Sequence, residues 1–387
     1  MTFIGFPDIV VTSPNGKLRL EIRGSKAKDD FFRDQSDFVY RLVRAEDSQL
    51  VWEWTPPENS GLADYPHEAW VNDQGWAVVR CHTWFGAGIL VLSPTGELKL
   101  EQAVVGLGEE RPLIPEDAEG HAGHSSAGPF WSASSIAVFQ EWEGRPFWSI
   151  LAWWGRRFVF DLDRGIVLDQ VSEELERGIA AAEEDWIFHW FQHVPSRSIE
   201  DDQAHGVWWQ QFGRHVYSAA YHAGVKKLTR AEPFLRSLEK CVVTGGQIFG
   251  NICVRLYSFR RLAKASLLRM GFIPDWYASF ILIDRKTEAP LKCPERSDRS
   301  RLQEIAAGMT LTTLLQRVGI PDFLEWDYIE LNGNSIGTLR VHWKCEEKLV
   351  TRLSIKVDGP PIWVDRIERF DLPPWVIDGD EYSLAHG

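Results

Sequence analysis

Cysteine is scarce in this chain of 387 residues, which contains five of them. They are Cys81, Cys241, Cys253, Cys293 and Cys345, an odd number without any C-x-x-C pair. Disulfide-rich modules and structural zinc sites both rely on closely spaced cysteines, so this pattern argues against either. The sequence predicts five reduced thiols, which are typical of a cytoplasmic protein.

Long hydrophobic runs are missing as well. The segment richest in apolar residues, near Trp148–Phe160, is interrupted by Gly155, Arg156 and Arg157. A transmembrane helix needs about 20 consecutive, mostly apolar residues, so no membrane span is expected. The first residues, MTFIGFPDIV, show no basic segment followed by an apolar one, so no secretory leader is expected. Both observations favour a cytoplasmic location.

Basic residues are fewer than acidic ones. The chain contains 42 Lys and Arg and 55 Asp and Glu, which gives a net charge of −13. Nucleic-acid binding needs a basic footprint for phosphate contacts, and anionic membrane surfaces attract basic segments. We therefore expect neither nucleic acid nor a membrane as a partner. Electrostatic steering draws an acidic protein toward basic ones, so the composition favours a basic protein partner.

Motifs that specify a reaction are also lacking, since the chain contains no G-x-S-x-G, H-E-x-x-H, P-loop or G-x-G-x-x-G pattern. His121 and His124 occur in the long loop Gly106–Pro129, which is rich in Gly, Pro, Ser and acids. Cys81 and His82 are neighbours on a predicted strand, where adjacent side chains point to opposite faces and do not pair. The sequence predicts no metal and no cofactor.

Tryptophan, in contrast, is abundant, with 19 residues beside 21 Phe and 8 Tyr. Trp142, Trp148 and Trp154 are concentrated on one predicted hairpin, and strand alternation places them on one face with Trp153 opposite. Two interpretations stay open, a ring-packed core and an exposed aromatic surface for a partner. We take Trp142, Trp148 and Trp154 as candidate partner-binding residues.

Residues 1–170 show the pattern of β-strands. Ile9–Thr12 precedes the turn Ser13-Pro14-Asn15-Gly16, and apolar residues then alternate with charged ones over 17–22, which is a strong hairpin signal. Similar apolar runs and glycine-containing turns recur at 38–54, 73–79, 89–100 and 158–168. The sequence therefore predicts a β-rich domain over residues 1–170.

Residues 171–271 change to helical spacing. Ser172 is placed to cap a helix, Thr229 and Glu232 form a capping box, and a further helix is expected from about Asn251 to Met270. This pattern predicts a helical middle layer.

Residues 272–387 return to mixed structure. Ser300 begins a second capping box, Thr310 caps a helix that ends at Gly319, and strands are expected at Ile336–Trp343 and Lys348–Val357. The whole chain is thus predicted to be an α+β multidomain protein with domains 1–170, 171–271 and 272–387.

The strand, S-P-x-G turn and strand units of residues 5–170 resemble the blades of bacterial β-propellers. About three such units can be counted, whereas closed propellers typically contain 4–8 blades. The resemblance implies a partial, propeller-like assembly of antiparallel sheets.

Residues 300–357 resemble the SmpA/OmlA family and the related β-lactamase-inhibitor-like repeats. The matching positions are Gly308-Met309-Thr310 before a helix, Gly319 and Pro321-Asp322 after it, and Trp326 and Tyr328 on the following strand. The resemblance implies two short helices packed on a small antiparallel sheet, and a module that serves protein–protein contact. It adds Trp326 and Tyr328 to the candidate partner-binding residues.

Two functional hypotheses follow. The first is a cytoplasmic, non-enzymatic interaction protein of the inhibitor or immunity type, with an acidic, tryptophan-rich surface. The second is a hydrolase or small-ligand binder that uses a cleft between the β region and the helices, with the loop Gly106–Pro129 as a lid. Convergence of Cys81, His82, His121 or His124 into one group would favour the second.

Overall fold

The structure, a computed structural model, describes residues 8–24, 38–57, 66–82, 87–105, 113–114, 124–125, 128–129, 135–195, 208–240, 245–249, 252–256, 258–272, 280–284, 286–287, 289–291, 299–321, 323–331, 334–344, 349–356 and 363–371. The chain divides into two compact units, Met1–Trp186 and Ile187–Gly387. It is a mixed α+β protein, as the sequence predicts, and its sheets are antiparallel.

Three four-stranded meanders follow one another in the first unit. Sheet A contains β1 (Ile9–Thr12), β2 (Leu18–Arg23), β3 (Val39–Arg44) and β4 (Leu50–Trp54). Sheet B contains β5 (Pro66–Val71), β6 (Ala77–His82), β7 (Ala87–Leu92) and β8 (Leu98–Val105). After the short pair β9 (His124–Ser125) and β10 (Gly128–Pro129), sheet C contains β11 (Ile136–Trp142), β12 (Arg145–Leu151), β13 (Arg157–Asp161) and β14 (Ile166–Val167). In each four-stranded sheet the strands are hydrogen-bonded in sequence order.

The first hairpin forms as its turn sequence predicts. Gly16 has φ of 73°, a left-handed conformation that glycine adopts without a steric penalty. The Asn15 side chain accepts a hydrogen bond from the backbone N–H of Lys17 at 2.9 Å. The register pairs Ile9 with Ile22, so the apolar side chains of both strands share one face.

Sheet B is buried on both faces, which explains its nearly continuous apolar runs. One face, with Ala77, Val79 and Leu90, joins a core formed with sheet A. The other face, with Val78 and Ile89, joins a second core formed with sheet C. Neighbouring residues of a strand point to opposite faces, so a strand that is buried on both faces needs apolar residues at successive positions. Sheet B is therefore the central layer of a three-sheet stack.

A helix covers the outer face of sheet C. Helix α1 (Glu173–Phe191) begins after Ser172, whose hydroxyl accepts the Leu175 N–H at 3.2 Å, so the predicted cap is confirmed. Arg157 of β13 binds α1, with its Nε 2.6 Å and its Nη2 2.8 Å from the two carboxylate oxygens of Glu183. A Cβ on Gly178 of α1 would lie 3.5 Å from the Gln140 amide of β11. The helix thus packs on sheet C through contacts with both β11 and β13.

In the second unit, helices and strands are interleaved. A π-helical turn (Trp209–Gly213) leads into α2 (Arg214–Val225), and a 3₁₀ turn (Thr229–Ala231) leads into α3 (Glu232–Leu238). Sheet D contains β15 (Gly245–Phe249), β16 (Ile252–Leu256), β17 (Phe280–Asp284) and β18 (Ala289–Pro290). Helix α4 (Ser258–Arg269) is inserted between β16 and β17 and packs closely on α2, where the Ser266 hydroxyl donates to the Ala220 carbonyl at 2.8 Å.

Two details of the predicted helical layer are wrong. The expected helix from about Asn251 is a strand over Ile252–Leu256 followed by α4, so the layer is interrupted by a hairpin. The β-branched and apolar residues of I-C-V-R-L pair with Gly245–Phe249, and this pairing prevails over the helical pattern. The Thr229 and Glu232 capping box does not form either, because Thr229 opens the 3₁₀ turn and α3 starts without a side-chain cap.

The last described elements are α5 and sheet E. A 3₁₀ helix occupies Arg299–Glu304, where a capped α-helix is predicted. Helix α5 (Leu311–Val318) has the predicted cap, since the Thr310 hydroxyl accepts the Thr313 N–H, and it ends at Gly319 with φ of 89°. Sheet E contains β19 (Phe323–Leu331), β20 (Asn334–Lys344), β21 (Leu349–Lys356) and β22 (Trp363–Asp371). Among the described residues, no helix has both the length and the apolarity needed to cross a membrane.

Candidate interaction surface

Trp148 belongs to the core and not to a binding surface. Its side chain is fully buried between sheets B and C, with its ring centroid 5.2 Å from Trp70 and 5.2 Å from Phe160. The prediction that Trp148 contacts a partner is therefore corrected, and the core interpretation of this tryptophan is the right one.

Trp142 lies on the opposite face of sheet C from Trp148. Across the hairpin Trp142 pairs with Arg145, and Trp148 pairs with Phe139. Paired residues share a face of the sheet, and Phe139 is three residues from Trp142 on the same strand, so the two tryptophans lie on opposite faces. The prediction that Trp142 and Trp148 share a face is wrong, because counting alternate residues along the sequence does not allow for the two-residue turn between β11 and β12. Trp142 is half-buried.

Trp154 lies in the turn between β12 and β13. Its ring is 5.6 Å from that of Trp153 in an edge-to-face arrangement, and it packs against the core between sheets B and C. Both rings are half-buried.

Trp326 and Tyr328 lie in β19, paired with Leu339 and Gly337, and their side chains are outside the described residues. Their contact with a partner stays a prediction.

The residues proposed for a hydrolytic site are not brought together in the part of the chain that the structure describes. Cys81 is fully buried between sheets A and B. His121 and the side chains of His82 and His124 lie outside the described residues. Ile114, from the long loop, is buried in the core between sheets B and C, and its N–H donates to the Val104 carbonyl at 2.9 Å. No group of three or more metal-binding side chains occurs among the described residues.

Acidic charge is concentrated in the first unit. Residues 1–186 contain 31 Asp and Glu against 16 Lys and Arg, a net charge of −15. Residues 187–387 contain 24 Asp and Glu against 26 Lys and Arg, a net charge of +2. The overall charge of −13 is therefore a property of the β-sheet unit alone.

Exposed hydrophobic side chains occur on sheet A of this acidic unit. Leu50 and Val51, at the start of edge strand β4, are 52% and 45% exposed. The exposed Glu46 and Asp47 precede them in the β3–β4 turn. We call these four residues the β4 patch. The sequence predicts that Leu50 lies in a strand but not that it is exposed, and the register is irregular at this point, where Val43 pairs with Leu50.

The outer face of sheet A carries ion pairs next to the β4 patch. Arg41 Nε lies 2.7 Å from Glu53 Oε2, and Arg19 Nε lies 2.7 Å from Glu21 Oε1. Burial raises the pKa of the Glu21 carboxyl, but the hydrogen bond from Arg19 and the charges of Arg23 and Arg19 outweigh this and lower the pKa. This face is polar, unlike both faces of sheet B.

A second surface feature, in the other unit, combines histidines with aromatic rings. The rings of Trp190 and His215 are stacked at 4.1 Å, and those of His193 and Phe212 at 4.4 Å. Trp208 Nε1 donates to the His193 carbonyl at 3.0 Å. The stacks join the end of α1 to the π-helical turn and the first turn of α2. We call this group the aromatic–histidine cluster.

Comparison of the chain with models of known protein families found no match, and comparison with curated proteins found none.

Proposed function

We propose that this protein is a non-enzymatic interaction protein of the inhibitor or immunity type, which binds a basic protein through its acidic β-sheet unit. The carrying observation is the uneven charge, −15 in the first unit and +2 in the second. A field of one sign on one part of a molecule accelerates encounter with a partner of opposite sign. The basic partner would therefore approach the first unit.

The β4 patch supplies the contact that holds such a partner. Leu50 and Val51 offer apolar side chains at the surface, and desolvated apolar anchors supply much of the free energy of binding. Glu46 and Asp47 lie beside them and match a basic rim on the partner. Strand β4 is also an edge strand of sheet A, where a partner's backbone is able to pair.

Three further features of the proposal rest on the fold. The stack of three meanders supports a partial, propeller-like first domain. The order of a 3₁₀ helix, α5 and an antiparallel sheet supports an SmpA/OmlA-like module at the C-terminal side. A reducing compartment such as the cytoplasm suits Cys81, whose thiol is buried in the core.

The test is capture of partners by the full-length chain, compared between variants. The double variant Leu50→Ser/Val51→Ser should bind the captured basic protein about tenfold or more weakly, because two apolar anchors are lost without a change of charge. Glu46→Lys/Asp47→Lys should mainly slow association and reduce its dependence on salt. Binding constants are measured by surface plasmon resonance at low and high salt.

Val225→Ser is the matched control. Val225 is 43% exposed on α2 of the second unit, so the change removes a comparable surface valine outside the β4 patch. It should leave binding unchanged. Equal weakening by Val225→Ser, or unchanged binding by Leu50→Ser/Val51→Ser, would contradict the proposal, as would captured proteins that are acidic.

A further inference from the structure

His189 lies in the last turn of α1, and His193, a member of the aromatic–histidine cluster, lies in the turn that follows the end of the helix at Phe191. His189 is exposed and His193 is partly exposed. The turn is tight, since the His193 N–H donates to the Trp190 carbonyl at 3.0 Å, and it keeps the two imidazoles close together. Their ring centroids are 5.6 Å apart.

This separation fits a shared metal ion. A divalent ion bound to one nitrogen of each ring at about 2.0–2.1 Å, with a bond angle between tetrahedral and trigonal, places the centroids roughly 5–6 Å apart. The two planes are inclined by 72°, so the rings are not stacked face to face. Stacked rings would direct their nitrogens away from a common point.

The position of the His193 ring is set by its neighbours. His193 is stacked on Phe212 at 4.4 Å with an interplanar angle of 6°, and its carbonyl is held by Trp208. The His189 ring lies 5.1 Å from Trp190, edge to face. A site whose ligands are already held in place loses less conformational entropy when it binds.

Metal binding at this pair should depend on pH. A metal ion binds the neutral form of imidazole, so a protonated ring must release its proton when the ion binds. Affinity therefore falls as the pH is lowered.

We propose that His189 and His193 form a two-histidine binding site for a divalent transition metal ion. The bond angles that fit the ring separation are those of Zn(II), and Cu(II), which imidazole also binds, serves as the spectroscopic probe of the same site. Among the described residues no third metal-binding side chain completes a set of three, so water or a bound partner fills the other positions. The site lies in the second unit and does not depend on the proposed function of the first.

The test is titration of the full-length protein with Cu(II) at pH 7.5, followed by calorimetry and by electron paramagnetic resonance. The wild-type chain should bind one equivalent of Cu(II) at this site, with a spectrum that indicates two nitrogen ligands. His189→Gln should weaken this binding about tenfold or more, because a chelate of two imidazoles becomes a single ligand. His189 is exposed, so this variant is expected to fold normally.

Two further variants make the test specific. His193→Gln should lose the same equivalent of Cu(II), whereas His67→Gln, which changes a histidine of sheet B, should retain it. Lowering the pH to 5.5 should release the ion. If His67→Gln and His189→Gln bind Cu(II) equally, the ion is adventitious and the proposal is overturned. A spectrum without two nitrogen ligands in the wild-type protein would overturn it as well.

Discussion

Replacing Arg157 should destabilise the first unit, because this side chain links sheet C to helix α1. Its side chain is 15% exposed and makes a two-pronged contact with Glu183, which is fully buried. It also forms an ion pair with Glu176, which is 49% exposed. Burial lowers the pKa of Arg157, but Glu183 and Glu176 outweigh this and raise it. The folded protein therefore favours the charged guanidinium.

Arg157→Met should lower the free energy of unfolding of the first unit by about 3–5 kcal/mol, because the Glu183 carboxylate is left buried without its guanidinium partner. Glu176→Gln should cost only about 0–1 kcal/mol, since its exposed carboxylate is screened by water. Urea unfolding followed by circular dichroism measures both changes. The difference between the variants separates the buried contact from the exposed one.

A double-mutant cycle compares the single variants Arg157→Met and Glu183→Met with the double variant Arg157→Met/Glu183→Met. Replacing a buried ion pair by two apolar side chains is often close to neutral, so the double variant should be more stable than Arg157→Met alone. Two results would refute the reasoning. One is a cost below about 1 kcal/mol for Arg157→Met, and the other is a double variant whose cost equals the sum of the two single changes.

The remaining predictions concern turns, the core and the histidine pair. Gly165→Ala should destabilise the protein more than Gly144→Ala, since both glycines have positive φ but only the added Cβ at Gly165 would collide with the Lys99 carbonyl. Gly144→Ala carries the backbone penalty alone, about 1 kcal/mol, and a melting temperature for Gly165→Ala no lower than that of Gly144→Ala would contradict the collision. Trp148→Ala should cost about 3–5 kcal/mol in urea unfolding and leave the intrinsic affinity for a captured partner unchanged. For His193, the depressed pKa means that the unfolded state binds the proton more tightly, so stability falls as the pH drops through 6.5. His193→Gln should flatten this dependence between pH 7.5 and pH 5, and an unchanged slope would show that His193 is not responsible.

The local signals of the sequence were reliable where short-range geometry decides the structure. The turn at Asn15-Gly16 and the helix caps at Ser172 and Thr310 formed as predicted, because each needs only residues within a few positions. Strand β16 was predicted as helix, since its pairing with β15 is a contact between strands that spacing alone does not reveal.

The candidate site was harder to predict, because exposure depends on how sheets stack. Trp148 and Leu50 both lie in predicted strands, yet one is fully buried between two sheets and the other is on an edge strand. The stacking order of sheets A, B and C decides this difference. The spacing of His189 and His193 is visible in the sequence as H-x-x-x-H, but the ring separation depends on the packing against Phe212 and Trp190.

The double-sided burial of sheet B has a consequence for folding cooperativity. Val78 and Val79 are adjacent in β6, yet they belong to different cores, one shared with sheet C and the other with sheet A. Loss of either outer sheet would expose one entire apolar face of the middle layer to water. The three sheets should therefore unfold together in one cooperative transition, and amide hydrogen exchange should be slowest in β6 and β7.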